Sequence, residues 1–123
     1  MAWTLYADRP VYTQLVEKIQ RDIVSGVYKA GDKIPPVREL ATEAAVNPNT
    51  MQKALAELER MGLLYAQRTS GRFVTEDEEM INEVKEEMAS QQIQAFLESM
   101  KQLGYDVEQT ISVIREMKRE EEK

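Results

Sequence analysis

Apolar residues recur along the chain at changing periods, and the changes mark out its elements. In "RPVYTQLVEKIQRDIVSG" and just beyond, Val11, Leu15, Ile19 and Ile23 fall at steps of four, with Val16 and Val27 widening the stripe. That spacing predicts an amphipathic helix opened by Pro10 and ended by Gly26. "VYKAGDKIP" follows as a short extended piece about a Gly-Asp turn. "PPVRELATEAAV" predicts a short second helix, with Pro36 in its first turn and Val37, Leu40, Ala41 and Ala44 facing inward. A third helix is expected from about Asn49 to Met61, capped by Asn47, entered through Pro48 and stopped by Gly62. Met51, Leu55 and Leu58 form its inner face; Asn49, Gln52, Lys53, Ala56 and Arg60 lie opposite.

Beyond Gly62 the period shortens. "LLYAQRTSGRFVT" holds two β-prone runs, Leu63–Tyr65 and Arg72–Thr75, about a tip at Thr69-Ser70-Gly71, which predicts a hairpin. From Glu76 the helical period returns, without Pro or Gly until Gly104. Met80, Val84, Met88, Phe96 and Met100 lie along a row of steps of four, with Ile93, Leu97 and Leu103 beside it. Asp106 is placed to cap a last helix whose stripe is Val107, Ile111, Ile114 and Met117; the closing run 118–123 is expected to be frayed and solvated. The fold class expected is therefore mainly α with a small β-hairpin. An N-terminal winged helix-turn-helix is expected over 1–75 and a C-terminal helical dimerisation tail over 76–123.

A short helix, a tight turn and a capped second helix with polar groups at its tip make a helix-turn-helix, whose second helix enters the major groove of DNA. Asn47, Asn49, Thr50, Gln52 and Lys53 are the candidate groups there. Asn and Gln pair bidentately with adenine, Lys donates to guanine or phosphate, and the helix N-terminus favours a phosphate. The hairpin, with Arg68, Thr69, Ser70, Gly71 and Arg72 at its tip, would be a wing over the backbone or minor groove. The plain alternatives are that Thr50 and Lys53 are ordinary helix surface and that Gly71 serves only its turn. Trp3, Tyr12 and Tyr65 read as packing residues rather than base stackers.

Charge at first argues against a DNA partner, since the 123 residues carry a net −6. Its distribution reverses that. Residues 1–75 hold 10 Lys/Arg against 8 Asp/Glu, net +2, whereas 76–123 hold 6 against 14, net −8. The acidic half also fits a merely solvated helix face. The chain has no His and no Cys, which removes the commonest general base, the commonest transition-metal ligands and disulfides. No cofactor or metal is expected: the methionines lie on apolar stripes, and the carboxylates 76–79 read as a solvated helix start. With no membrane-length apolar run and no signal-peptide pattern, a cytoplasmic protein off the membrane is expected.

From "PVYTQLVEKIQRDIVSG" through the block "GDKIPPVRELA", the "NT" of the recognition helix and "LERMGL" before the wing, the chain resembles the GntR family of bacterial transcription regulators. The short helical tail and "NPNT" resemble its YtrA subfamily. The resemblance implies a winged helix-turn-helix over more than half the chain and DNA contacts at Arg38, Asn47, Asn49, Thr50 and Gln52, with Lys53 alongside. It places the wing glycine at Gly71. It also implies dimerisation through the C-terminal helices, and control of ABC-transporter operons. Arg38 has its own plain alternative, a surface pair with Glu39 or Glu43. The chain departs from the family pattern at Gln52, where many relatives have arginine. It departs again at Thr69, where a second wing glycine is common, and at Ala45, where the motif turn often has glycine.

These readings converge on a homodimeric, sequence-specific repressor of double-stranded DNA with no enzymatic activity, acting on a palindromic operator. Two recognition helices are needed for a symmetric site. The tail's stripes, with Val84, Met88, Phe96, Met100, Ile111 and Ile114 as the dimerisation residues, need an intermolecular partner to be buried. Any small-molecule effector belongs at the dimer interface or between domain and tail, and no residues mark its pocket. Two rivals stand beside this expectation. One is an adaptor using the winged domain for protein contacts. The other is an enzyme, disfavoured because about 48 residues after the wing cannot hold the aminotransferase-like domain of some relatives.

Overall fold

The computed structural model describes residues 3–122. Five helices and one hairpin follow in the order α1 (Val11–Val24), α2 (Val37–Ala44), α3 (Pro48–Arg60), β1 (Leu64–Gln67), β2 (Gly71–Val74), α4 (Glu78–Gln102) and α5 (Val107–Glu121). They group into two units, one ending at Lys85 and one beginning at Glu86, with α4 running through the boundary.

The first unit is built on α3, which packs against α1, α2 and β1. Leu15, Ile19 and Ile23 of α1, Leu40, Ala41 and Ala44 of α2, and Met51, Ala54, Leu55 and Leu58 of α3 bury their side chains together. Ile34, Leu63, Leu64 and Val74 close this core from the loops and the wing. The expected α1 stripe is shorter at both ends: Val11 is exposed at the helix start, and Val27, past the helix, is 65% exposed. Ile81 and Val84, in the first turns of α4, cover the same core. Nearby, a Cβ on Gly62 would stand 2.9 Å from Met80 Cε, and φ at Gly62 is +85°. Glycine is therefore favoured there by its backbone conformation, and a Cβ would also displace the end of the Met80 side chain.

The turn after α2 is formed by Ala45, whose φ and ψ are 58° and 48°. Its N–H donates to Thr42 O at 3.2 Å, and the Val46 N–H donates to Ala41 O at 3.0 Å. A left-handed alanine costs about 1 kcal/mol through its Cβ. Ala45→Gly is therefore expected to leave the unfolding free energy unchanged or raise it by up to about 1 kcal/mol, the relief offsetting glycine's greater unfolded-state entropy. Denaturant titration checks this; a clear loss of stability would mean that the left-handed turn is not strained.

In the hairpin, pairing runs further toward the tip than the sequence suggests. Leu64, Tyr65, Ala66 and Gln67 face Val74, Phe73, Arg72 and Gly71, leaving only 68–70 in the turn. The extra pairs follow from Tyr65 and Phe73, whose stacked rings, 5.7 Å apart, fix the register. Arg72 thus belongs to β2 and not to the tip.

The second unit holds the rest of α4 and α5. Asp106 and Gln109 form a reciprocal capping box at the start of α5, as the sequence predicts for Asp106. The helix continues to Glu121 where fraying was expected; residue 123 lies outside the described residues. Thr110 is buried, its hydroxyl donating to Asp106 O at 2.8 Å. The large apolar side chains here are mostly uncovered: Phe96 is 45% exposed, Ile114 49% and Leu103 72%.

The row from Val84 to Met100 does not keep to one face. Each step of four overshoots a full turn by about 40°, so Met100 lies about 160° round the helix from Val84. Val84 packs on the first unit's core. Phe96 and Met100 instead share a face with Ile93 and Leu103, at alternating steps of three and four. Met88 lies between the two faces and, like Met100 and Ile111, is half-buried.

Candidate nucleic-acid interface

Three residues, Ala45 to Asn47, join α2 to α3. Pro48 starts α3 at a position where its missing N–H is not needed. Asn47 Oδ1 accepts from the Asn49 N–H at 2.7 Å, so the oxygen of Asn47 is engaged in capping and its amide NH2 remains to donate outward. Asn49, Gln52 and Lys53 follow on the exposed side of the helix, and Thr50 is half-buried next to them. Opposite them, Met51, Leu55 and Leu58 are fully buried and hold the helix in place.

Arg38 is exposed on α2, where its carbonyl accepts from the Thr42 hydroxyl at 2.8 Å. Among the described residues Arg38 forms no ion pair, and neither do Lys53 and Arg68. The pairing of Arg38 with Glu39 or Glu43 is therefore absent. Arg60, at the far end of α3, is occupied: its Nε donates to Glu57 Oε2 at 2.8 Å. That bond holds the Glu57 carboxyl below its ordinary range.

The wing turn carries Arg68, Thr69 and Ser70, all exposed, with Gly71 at φ +105°. Arg72 is placed differently. Its Nε donates to Glu59 Oε1 at 2.6 Å, and the side chain is only 18% exposed. The arginine ties β2 to α3 and so sets the wing against the recognition helix. A second fastening is Gln14, buried in α1, which accepts from the Tyr6 N–H at 2.7 Å and donates to Tyr6 O at 2.7 Å and Arg9 O at 2.9 Å. Neither partner of these ties could be named from the sequence, because Glu59 and Tyr6 satisfy no local pattern with Arg72 and Gln14.

Of the candidate residues, the fold brings Asn47, Asn49, Thr50, Gln52 and Lys53 together at one helix tip, with Arg38 on the preceding helix. Arg68 and Ser70 sit in the wing turn, and Gly71 opens β2 directly after it. Val84, Met88, Phe96, Met100, Ile111 and Ile114 are spread along α4 and α5. Among the described residues there is no cluster of three or more metal-ligating side chains, and no helix long and apolar enough to cross a membrane.

Residues 11–74 match the family described as bacterial regulatory proteins, gntR family. The HTH-type transcriptional repressor YtrA of Bacillus subtilis (strain 168) is 34% identical over 109 residues, covering 88% of this chain and 84% of its own. A solved GntR family transcriptional regulator from Listeria monocytogenes is 39% identical with a TM-score of 0.85, covering 91% of this chain and 98% of that one. The DNA-binding domain of AraR, solved in complex with operator ORX1, is 31% identical with a TM-score of 0.53, covering 61% and 93%. A helix-turn-helix with its wing, matched over more than half the chain and extended by the tail in the longer matches, identifies this as a DNA-binding transcriptional regulator: the chain belongs to the GntR family.

Proposed function

We propose that the chain is a repressor that binds a palindromic operator as a homodimer in the cytoplasm, with α3 in the major groove and the wing over the adjacent backbone. Residues 1–75 supply the DNA-binding part and 76–123 the dimerisation part. Ile81 and Val84 additionally cover the DNA-binding core. The carrying observation is the exposed apolar surface of the second unit, which includes Phe96, Leu103 and Ile114. Solvated apolar surface of this kind normally marks an interface. A second copy would bring the second recognition helix that a symmetric site requires.

The free groups of the helix tip support base reading by Asn49, Thr50 and Gln52, with the amide of Asn47 and the ammonium of Lys53 beside them. Arg38 and Arg68, which have no acidic partner among the described residues, suit phosphates. The repressor name of YtrA and the operator complex of the AraR domain support the same assignment. Selecting bound sequences from a random DNA pool with the full chain tests it. An inverted repeat is expected, its half-sites about one helical turn apart or a multiple of it. A pool without enrichment would contradict sequence-specific binding, and a single unrepeated site would contradict symmetry.

A further inference from the structure

The loop entering α2 runs beside the wing as a partial third strand. The Gly31 N–H donates to Val74 O at 3.0 Å, the Val74 N–H to Asp32 O at 2.8 Å, and the Ile34 N–H to Arg72 O at 3.0 Å. Lys33 lies within this ladder and bridges Phe73. Its backbone is thus fixed to the wing. Its side chain reaches the wing's end, since a Cβ on Gly71 would stand 3.2 Å from Lys33 Cε and 4.0 Å from Nζ. The φ of +105° favours glycine at position 71, and a side chain there would crowd the end of Lys33.

Lys33 is exposed, and among the described residues it forms no ion pair. Between it and the wing turn lies a cleft of about 360 Å³, lined on its apolar side by Ile34, Pro35, Pro36 and Val37 and on its polar side by Thr69, Ser70 and Arg72. Arg38 follows directly on Val37. The polar side of the opening offers an ammonium and two hydroxyls. Its one guanidinium already donates to Glu59. An ammonium is a compact point charge without the planar fork that reads a base edge, and with hydroxyl donors beside it this chemistry suits a phosphate.

We propose that this cleft seats a backbone phosphate of the DNA duplex, with Lys33 as its cation and the Ser70 hydroxyl as a donor. The proposal rests on the DNA-binding reading above and adds a cation, Lys33, from outside the recognition helix and the hairpin. It gives the loop before α2 a part in DNA binding, and it gives Arg72 the task of holding one wall of the seat.

The test is fluorescence anisotropy of the full chain on a mixed-sequence duplex, titrated between about 50 and 200 mM salt. Lys33→Gln should reduce the steepness of the log–log slope by about 0.9 for each phosphate that is no longer neutralised. Lys29→Gln removes the same charge from the same loop away from the wing, and its slope should equal that of the unaltered protein. Circular dichroism confirms that each variant is folded. A Lys33→Gln slope equal to that of the unaltered protein overturns the seat while leaving DNA binding intact. Equal reductions in both variants also overturn it, since net charge alone would then be responsible. Absence of binding by the unaltered protein at low salt overturns the DNA-binding reading itself, and the seat with it.

Discussion

Phe96→Asp is expected to lower operator affinity by about a hundredfold or more, with the first unit still folded. Phe96 is 45% exposed in the single chain, so a carboxylate there disturbs little of the chain's own packing. In the proposed dimer the same position would be covered, and an unpaired charge under apolar side chains costs several kcal/mol, by the order of magnitude for buried polar groups. Two weakly binding halves gain their joint affinity from being linked, commonly by a factor of about 10² to 10⁴. Breaking the link should leave weak half-site binding and remove the rest. Titration of the selected operator and of a half-site duplex checks this; operator affinity unchanged by the substitution would remove Phe96 from any interface that matters for DNA binding.

Much of this architecture is legible in the sequence because its signals are local. The Asn47–Pro48 start of α3 and the Asp106–Gln109 box of α5 lie within four residues of the groups that they satisfy. The inner face of α3 is read from spacing alone, and Met51, Leu55 and Leu58 are all buried. What the sequence conceals depends on distant partners. Arg72 has the chemistry of a phosphate ligand at a hairpin tip, yet Glu59, thirteen residues earlier, takes its guanidinium. Lys33 looks like an ordinary loop lysine until the ladder to β2 carries it to the wing. The apolar row on α4 misleads for a different reason. Steps of four look like a stripe over two turns and become a spiral over five, so Val84 and Met100 serve different faces.

The second large effect concerns base reading. Asn49→Ala and Thr50→Ala should each cost about 1–3 kcal/mol on the selected operator, roughly 5- to 150-fold in affinity, with much smaller changes on unrelated duplex. The side chain of Asn49 is exposed and makes no hydrogen bond among the described residues, so its loss should leave the helix itself unaffected. Thr50 is half-buried, and its variant needs a check of thermal stability before any loss is assigned to readout. Arg38→Ala, if its guanidinium holds a phosphate, should instead weaken operator and unrelated DNA alike. Equal losses on both duplexes for Asn49 and Thr50 would remove them from direct readout and leave them a positioning role.

The central claim is that two copies of this chain act together on DNA, and sedimentation equilibrium of the unaltered protein tests it most directly. At micromolar concentration a mass of twice 14.2 kDa is expected, and on the selected operator two chains per duplex. A protein that sediments as a single 14.2 kDa chain at that concentration and still binds its operator tightly, one copy to a duplex, would contradict it.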